Sequence, residues 1–590
     1  MTSPRHGGRL RMPVDWFDEL ASGGGSAGAV GFLAGVERTR RMMLLGEVLD
    51  RLDEHPDALR GLGSATTAWQ LIAEAAEVRP EAAEQLLMSP QIGCWTAHML
   101  RRLHGTEDGP PLWSDAGHLF AIALVARMRA GLDADVVVPV RDGGLSLPTL
   151  GLARIGGPPG FGTASARLRG GDLHLTSDSD SDGEGITVRL CDTDGARSAH
   201  WTPSRTFAGT STWLDDLDPY RELGEPVAPQ PLGGAEAAYW QRLFSEAASI
   251  LSPSGSGPGR LRVQDVRRIV PWTGTSAGPD PEDTHLLSAT TADAFGSMVI
   301  SRPADGLDLA EAMVHEFQHS KLGALLLLFP LLDDDDGEIH YAPWRSDPRH
   351  ATGLLQGAYA FTGVTGFWRD RMTDKTTGET AAPDLAAFHF ALRRLQTRLV
   401  VRTLLTRAAL TGPGTRLLHG LAATLDGWLR EDVAPGVAAR ARAAALSHRV
   451  EWRLRNLRCG EAERALLTTA FRAGAAPPSA AAHESVLVRG TSRWSDPRAA
   501  LYRVPPRAPV SADAHLAAGD PHTALRRYAE LLCGAPADPH ALSGWLLARA
   551  GVSPARRRLP PRPERLLALA PVTPEELRRA ADWLGAGPTV

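Results

Sequence analysis

The feature that most constrains this chain is a pentapeptide that reads H-E-x-x-H, with His315 and His319 at its ends. If the stretch is helical, the two histidines lie one turn apart on the same face, because side chains four residues apart are neighbours on a helix. Two imidazoles so placed can bind one divalent metal ion, and Glu316 lies beside the first. Residues 307–314 have helical spacing, and residues 322–328 form an apolar run. The sequence therefore predicts a metal-binding helix.

A catalytic metal site of this kind needs a third protein ligand and an open position for water or substrate. In thermolysin-like zinc peptidases that ligand is a glutamate on a later helix. The next predicted helix begins at residue 351, and its first eleven residues contain no Glu or Asp; its polar candidate is Gln356. The metzincin extension H-E-x-x-H-x-x-G-x-x-H is also absent. The zinc peptidase interpretation therefore lacks its usual third protein ligand.

A segment after the motif combines an aromatic residue with two arginines. Trp344 offers a stacking surface, and the guanidinium groups of Arg345 and Arg349 suit carboxylates. The segment is therefore a candidate site for a carboxylate of a cosubstrate or a peptide. The alternative is an ordinary loop whose arginines pair with the acidic run at residues 333–336.

Lysine is rare in this chain, since Lys321 and Lys375 are the only two among 63 basic residues. Lys321 follows His319 by two positions. An arginine does not replace the compact ammonium group well, so Lys321 is a further candidate for binding a carboxylate. The alternative is that its position is due to chance.

Composition excludes some classes of protein. The formal net charge of −5 gives no reason to expect a nucleic acid or an anionic membrane as a partner. Four widely spaced cysteines fit a reducing compartment. The N-terminal residues lack the apolar core of a signal peptide, and no apolar run reaches the roughly 18 residues of a membrane span. We therefore expect a cytoplasmic protein without membrane attachment.

The pattern of apolar residues predicts a mainly α-helical α+β protein. Short strands are expected at residues 267–272, 286–290 and 297–301, and the last two precede the H-E-x-x-H helix. We expect four segments. They are a helical N-terminal region (1–130), a mixed α/β region (131–260), the metal-binding catalytic core (261–475) and a helical C-terminal region similar to a tetratricopeptide-type pair (476–590).

Several segments together resemble the HExxH-motif peptide-modification proteins, which are encoded beside ribosomally synthesised and post-translationally modified peptides. The resemblance covers most of the chain from residue 14 to about residue 470. The segments that carry it are 87–95 (LMSPQIGCW), 286–290 (LLSAT), 314–322 (VHEFQHSKL), 341–349 (YAPWRSDPR) and 353–360 (GLLQGAYA).

The resemblance implies a zincin-like core and iron(II)- and 2-oxoglutarate-dependent β-hydroxylation of a side chain in a ribosomal precursor peptide. Non-haem iron oxygenases use two histidines and a third ligand and leave positions for the cosubstrate and O₂. On this basis His315 and His319 are ligands, and Gln356 is the candidate third ligand. Glu316 would orient or hydrogen-bond the ligands of the metal.

The resemblance also implies roles outside the metal ligands. The distal carboxylate of 2-oxoglutarate needs a cation, for which Lys321, Arg345 and Arg349 are candidates. Trp344 is a candidate for substrate binding. So is Ser297, which begins a strand that could pair with the peptide by β-augmentation. The implied partners are the precursor peptide and other tailoring enzymes of the same pathway.

Two other classes of function fit the residues. In a zinc metallopeptidase, His315 and His319 would bind zinc and Glu316 would activate a water molecule. In a non-catalytic peptide-binding or assembly protein, the helical terminal regions would provide the function, and replacement of His315 would leave partner binding intact.

Overall fold

The computed structural model divides the chain into two compact units. The first comprises Met1–Leu20 and Gly24–Phe329, and the second comprises Ala21–Gly23 and Pro330–Val590. The catalytic core predicted at 261–475 therefore extends across the boundary between two units. The residues that the structure describes are 11–177, 185–189, 198–223, 225–253, 255–272, 288–334, 337–373, 383–479, 484–488, 494–552, 559–571 and 573–585. Lys375, residues 335–336 and the first two residues of the strand predicted at 286–290 lie outside them.

Among the described residues, six α-helices lie within the region predicted to be helical (1–130), and the helix predicted for the H-E-x-x-H motif is also present. Their ends follow ordinary capping chemistry: Ser26 accepts a hydrogen bond from the Ala29 amide at the start of α2, and Gly131 ends α6 in the left-handed conformation. The helices are α1 (Val14–Ala21), α2 (Ala27–Glu54), α3 (Ala65–Val78), α4 (Pro80–Leu87), α5 (Pro90–Leu103), α6 (Leu112–Ala130), α7 (Gly234–Leu251) and α8 (Gly306–Leu326).

An antiparallel sheet follows α6 in the chain. Its order is β6-β5-β4-β1-β2-β3-β7, and side chains from α3, α5 and α6 form one core with it. The alternating burial of β4 is typical of a strand with one face on a core. The strands are β1 (Ala134–Arg141), β2 (Gly144–Leu147), β3 (Gly151–Arg154), β4 (Phe161–Arg169), β5 (Asp172–Ser177), β6 (Ile186–Arg189) and β7 (Trp201–Pro203).

A smaller mixed sheet leads into the H-E-x-x-H helix. Its order is β11-β12-β10-β9-β8; β10 pairs in parallel with β9 and β12, and β11 pairs antiparallel with β12. Helix α8 packs against α7 and contacts β11 and β12. The strands are β8 (Arg205–Thr206), β9 (Trp213–Leu214), β10 (Arg268–Trp272), β11 (Ser288–Ala289) and β12 (Ser297–Ser301).

The second unit is mainly helical. Two short antiparallel pairs, β13 with β14 and β15 with β16, are its described strands, and they are too short for a sequence pattern to predict. The elements are β13 (Leu332–Asp334), α9 (Ala351–Thr373), α10 (Pro383–Arg407), β14 (Ala409–Leu410), α11 (Gly412–Leu429), α12 (Pro435–Asn456), β15 (Leu457–Cys459), α13 (Glu461–Arg472), β16 (Ser485–Leu487), α14 (Pro497–Arg503), α15 (Ala512–Ala517), α16 (Pro521–Gly534), α17 (Pro539–Val552), α18 (Arg565–Leu569) and α19 (Pro574–Gly585). The prediction of a mainly helical α+β protein is thus confirmed.

Candidate metal centre

Helix α8 is fixed at its start and along its buried face. The Asp305 carboxylate accepts hydrogen bonds from the amides of Leu307 and Asp308, both at 2.9 Å, and so caps the helix. A side chain at Gly306 would meet Cβ of Glu246 on α7 at 2.4 Å, so the two helices can approach only because this residue is glycine. The position of the H-E-x-x-H turn is therefore set by tertiary packing.

The two histidines present their Nε2 atoms to one point. These atoms are 3.2 Å apart, and the rings lie nearly perpendicular with centroids 4.8 Å apart. His315 and His319 are half-buried, so a ligand can still reach them from solvent. The Nε2 separation is close to the roughly 3.3 Å expected for two nitrogens bound tetrahedrally to one zinc ion.

The Glu316 side chain is almost fully buried, with 1% of its surface exposed. Its Oε2 accepts a hydrogen bond from the Thr290 hydroxyl at 2.6 Å. Its Oε1 has no hydrogen-bond partner among the described residues and lies 3.9 Å from Nε2 of His315. One carboxylate oxygen is therefore anchored, and the other remains beside the two imidazoles.

The donor set suits a divalent metal ion. One ligand atom from each of His315, Glu316 and His319 lies within 4.8 Å of the others. Two imidazoles and a carboxylate accommodate either zinc or iron(II), so these donors do not select between the metals. No other His, Cys, Asp or Glu of the described part of the first unit joins this group.

The structure places Lys321 on the opposite side of α8 from the histidines, which corrects its proposed role in binding 2-oxoglutarate. A residue two positions after His319 lies about 200° around a helix from it. The ammonium group is buried and donates a hydrogen bond to the carbonyl oxygen of Gly24 at 2.8 Å. Burial also lowers the pKa of Lys321 to about 7. Its described contacts are those of a packing residue that holds the start of α2.

Ser297 also differs from its prediction. Strand β12 lies between β11 and β10; β10 pairs along its whole length and β11 pairs with Val299 and Ile300, so the described strands leave it no continuous free edge. Ser297 is buried, and its hydroxyl accepts a hydrogen bond from Nε of Arg268 at 2.8 Å. Among the described strands, β11 and β8 lie at the two edges of this sheet, and β11 ends next to Thr290.

The tryptophan–arginine segment belongs to the second unit and forms a closed loop. The backbones of His340 and Arg349 exchange two hydrogen bonds at its base. Arg345 binds Oδ1 of Asp347 at 2.9 Å, and Arg349 lies 3.1 Å from Oδ2. Burial opposes ionisation of Asp347, but the hydrogen bond and charge of Arg345, with the charge of Arg349, lower its pKa overall. Both arginines thus share an acidic partner within the loop.

Two further candidates lie in the same unit. The Trp344 ring stacks at a tilt on Phe361, with centroids 4.4 Å apart, and it fits because residue 357 is glycine: a Cβ there would meet Cζ2 of Trp344 at 2.4 Å. One face of the tryptophan is therefore used for packing. Gln356 is half-buried on α9. Its role as a metal ligand stays a prediction, as do the cosubstrate roles of Arg345 and Arg349.

The sequence pattern missed the part played by Thr290. This residue lies in one of the segments that carry the family resemblance, but its spacing of 26 residues from Glu316 gives no local signal of contact. A threonine that follows a short strand is ordinarily a turn residue, so only the folded chain identifies its partner.

Comparison with protein families and with curated proteins gives no relative for this chain. No protein-family model matches the sequence, and no curated protein matches it. Among the described helices, none has both the length and the apolar composition needed to cross a bilayer. The site's own chemistry therefore carries the functional argument.

Proposed function

We propose that this protein is an iron(II)- and 2-oxoglutarate-dependent hydroxylase that acts on the β-carbon of a side chain in a ribosomally synthesised precursor peptide. The observation that carries the proposal is the pair of imidazoles with Nε2 atoms 3.2 Å apart, beside a buried carboxylate that is already anchored. The resemblance of five segments to the HExxH-motif peptide-modification proteins supports the choice of reaction.

The proposed reaction balances as follows. The peptide C–H bond, O₂ and 2-oxoglutarate give the peptide C–OH, CO₂ and succinate. Bound iron would supply the activation of O₂, which no protein side chain provides. His315 and His319 would hold the metal through Nε2, and the burial of α8 fixes both side chains before any ligand binds. The remaining task of the chain is to position the peptide and exclude water.

Glu316 has a supporting role in this proposal. Because Oε2 is bound to Thr290, only Oε1 is available to accept a hydrogen bond from a metal-bound water or from the substrate. A buried carboxylate with one unpaired oxygen costs roughly 1–3 kcal/mol of stability, so its retention points to a use in chemistry.

The peptide is proposed to pair with the edge strand β11 instead of β12. This strand is two residues long, is antiparallel to β12 and leads directly to Thr290. A peptide added at such an edge gains main-chain hydrogen bonds without a requirement for particular side chains. We also propose that the mixed sheet and α8 form a zincin-like core, because the H-E-x-x-H helix packs beside a small sheet with an antiparallel edge.

Zinc peptidase activity is the second candidate, and the same geometry favours it: the Nε2 separation suits tetrahedral zinc. In that reaction Oε1 of Glu316 would accept the proton of a metal-bound water. The two candidates differ in their products, since hydrolysis cleaves the peptide and hydroxylation adds one oxygen atom.

Mass spectrometry of the precursor peptide encoded beside this protein separates the candidates. The peptide is incubated with protein loaded with iron(II), 2-oxoglutarate and air, and in parallel with zinc-loaded protein. We expect a gain of one oxygen only with iron and 2-oxoglutarate, with one succinate per event, and no product from His315→Ala. Cleavage by the zinc form would establish the peptidase, and an unchanged mass in both would refute the hydroxylase.

A further inference from the structure

One segment that carries the family resemblance, 87–95, and the loop that follows another, 286–290, meet at one buried side chain, Arg41 of α2. Its guanidinium donates to the carbonyl oxygens of Leu87 and Ser89, at 3.2 and 2.9 Å, and to that of Asp293 at 2.9 Å. The first two carbonyls belong to the segment at 87–95. The third lies in the loop that follows β11. Arg41 therefore ties the N-terminal helices to the loop that carries Thr290.

Other contacts fix the same loop. Arg40 binds the Asp293 carboxylate at 2.8 Å, and the Thr291 hydroxyl accepts a hydrogen bond from the Asp293 amide at 3.2 Å. Helix α5 approaches so closely that a Cβ on Gly93 would lie 2.1 Å from the carbonyl oxygen of Asp293. A loop held from three directions presents its side chains in one arrangement.

Within this segment, Thr290 is the residue whose side chain contacts the metal centre. Its hydroxyl has one proton and lies 2.6 Å from Oε2 of Glu316 and 3.3 Å from the backbone carbonyl of the same residue. The shorter contact is the hydrogen bond, because bonds to a carboxylate are stronger and shorter than those to a carbonyl. The bond fixes the rotation of the carboxylate, and with it the position of Oε1.

We propose that Thr290 is a positioning residue of the metal centre. It acts through Glu316, whose Oε1 it keeps in place to accept a hydrogen bond from a water molecule or other donor on a metal ion held by His315 and His319. Arg41 maintains the loop in the conformation that allows this. The inference rests on the metal site of the proposed function and not on its reaction, so it holds for a hydroxylase and for a peptidase alike.

The test is a double-mutant cycle with cobalt(II) as the probe. Thr290→Val keeps the shape of the side chain and removes the hydroxyl, Thr290→Ser keeps the hydroxyl, and Glu316→Ala removes the group through which Thr290 is proposed to act. Cobalt(II) affinity, from competition with a chelator, and the visible spectrum of the bound ion are measured on the full chain. Neither readout requires turnover.

We expect Thr290→Val to change the spectrum and to weaken cobalt(II) binding, by less than the about 10- to 100-fold loss seen when a direct partner of a metal ligand is removed, because Thr290 acts through Glu316. Thr290→Ser should retain wild-type behaviour. Adding Thr290→Val to Glu316→Ala should change nothing further, because coupled residues are not additive.

Two outcomes would overturn the proposal: equal affinity and spectra for Thr290→Val and wild type, or additive effects in the double variant. Thr212→Val is the matched control, since Thr212 is also buried and donates to the carbonyl oxygen of Val266 at 2.8 Å. It should lower thermal stability without altering cobalt(II) binding. If the peptide mass does not change in wild type but this cycle behaves as expected, the hydroxylase proposal fails and the positioning role stands.

Discussion

Two glutamates of this chain are equally buried but have opposite surroundings. Glu316 in the first unit and Glu451 in the second each expose 1% of the side chain. Glu451 binds Arg455 through Oε1, and both Arg498 and His540 through Oε2. Glu316 accepts a hydrogen bond from one hydroxyl through Oε2, and its Oε1 has no partner in the part of the chain that the structure describes. Burial alone therefore does not distinguish the two carboxylates, whereas the number of their oxygens that accept hydrogen bonds does.

The electrostatics of Glu451 agree with a structural role. Burial would raise its pKa, but the hydrogen bond from His540 and the charge of Arg498 lower it to about 2. The lowered pKa keeps the carboxylate ionised and paired at neutral pH. Because both of its oxygens already accept hydrogen bonds from cationic side chains, the Glu451 carboxylate is not available to bind a ligand.

The largest effect is expected from breaking the network around Glu451. Arg498 is fully buried, and it also donates to the Ser543 hydroxyl. Arg498→Met leaves the carboxylate buried without its main counter-charge, so we expect a loss of about 3–5 kcal/mol in unfolding free energy. Chemical denaturation measures this. Arg455→Gln, at a half-exposed site on the other oxygen, should cost much less, and equal costs would show that burial of the partner is irrelevant.

A pH titration of stability should reveal the same network. His540 binds Asp513 through Nε2 and Glu451 through Nδ1, and these two hydrogen bonds, the one with Asp513 first, raise its pKa from 6.5 to about 9. A raised pKa stabilises the fold fully below the unfolded value, and the contribution is lost as pH rises through about 9. With a discount for its partial exposure, we expect a loss of about 1–2 kcal/mol between pH 6.5 and 9.5.

Denaturation midpoints at several pH values check this expectation, with His540→Gln as the control. That variant should be less stable than wild type at pH 6.5 and should show a flatter profile. A wild-type profile that rises over this range would contradict the assignment of a charged imidazole.

In contrast to the Glu451 network, we expect that the charge of Glu316 can be removed by substitution with little loss of stability. Glu316→Gln keeps an oxygen that can accept from Thr290, and it removes a buried charge that is only half satisfied. We expect the unfolding free energy to stay within about 1 kcal/mol of wild type, or to increase, while metal-dependent activity falls. Thermal unfolding of the metal-free protein tests the expected stability, and mass spectrometry of the peptide tests the expected loss of activity. A large loss of stability would place Glu316 in the same class as Glu451.

The smallest effect is expected in the loop at residues 340–349. Arg345 is more than one-third exposed and shares Asp347 with Arg349. Arg345→Gln should therefore change the unfolding free energy by no more than about 0.5–1 kcal/mol. A rise in the concentration of 2-oxoglutarate needed for half-maximal hydroxylation would support its predicted cosubstrate role. An unchanged requirement would assign the arginine to the loop alone.

The sequence predicted well what depends on local pattern. Apolar spacing predicts the helix of the H-E-x-x-H motif and the helix that begins at residue 351, which are α8 and α9, and the paired histidines follow from the helical repeat. The partners of buried polar groups could not be predicted, because they join distant residues. Arg41 meets Asp293 across 252 positions, and Thr290 meets Glu316 across 26.

Two site residues were misassigned for the same reason. Lys321 is close to His319 in the chain, yet the helical repeat directs it to the opposite face and to the Gly24 carbonyl. Ser297 begins a predicted strand, but a strand's own sequence does not reveal whether both of its edges are paired. In each case the identity of the residue suggested a function, and its tertiary neighbours show packing.

The parallel pairing of β9 with β10 has a consequence for how the chain acquires its metal helix. Arg268 pairs with Trp213, so a long loop must close before the small sheet exists, and α8 packs on that sheet only afterwards. Helices α16 and α17, in contrast, are neighbours in both sequence and space and can form from local contacts. We therefore expect the helical pair to be ordered early in refolding and the two histidines to converge late. Metal ions added at the start of refolding would then leave the rate unchanged.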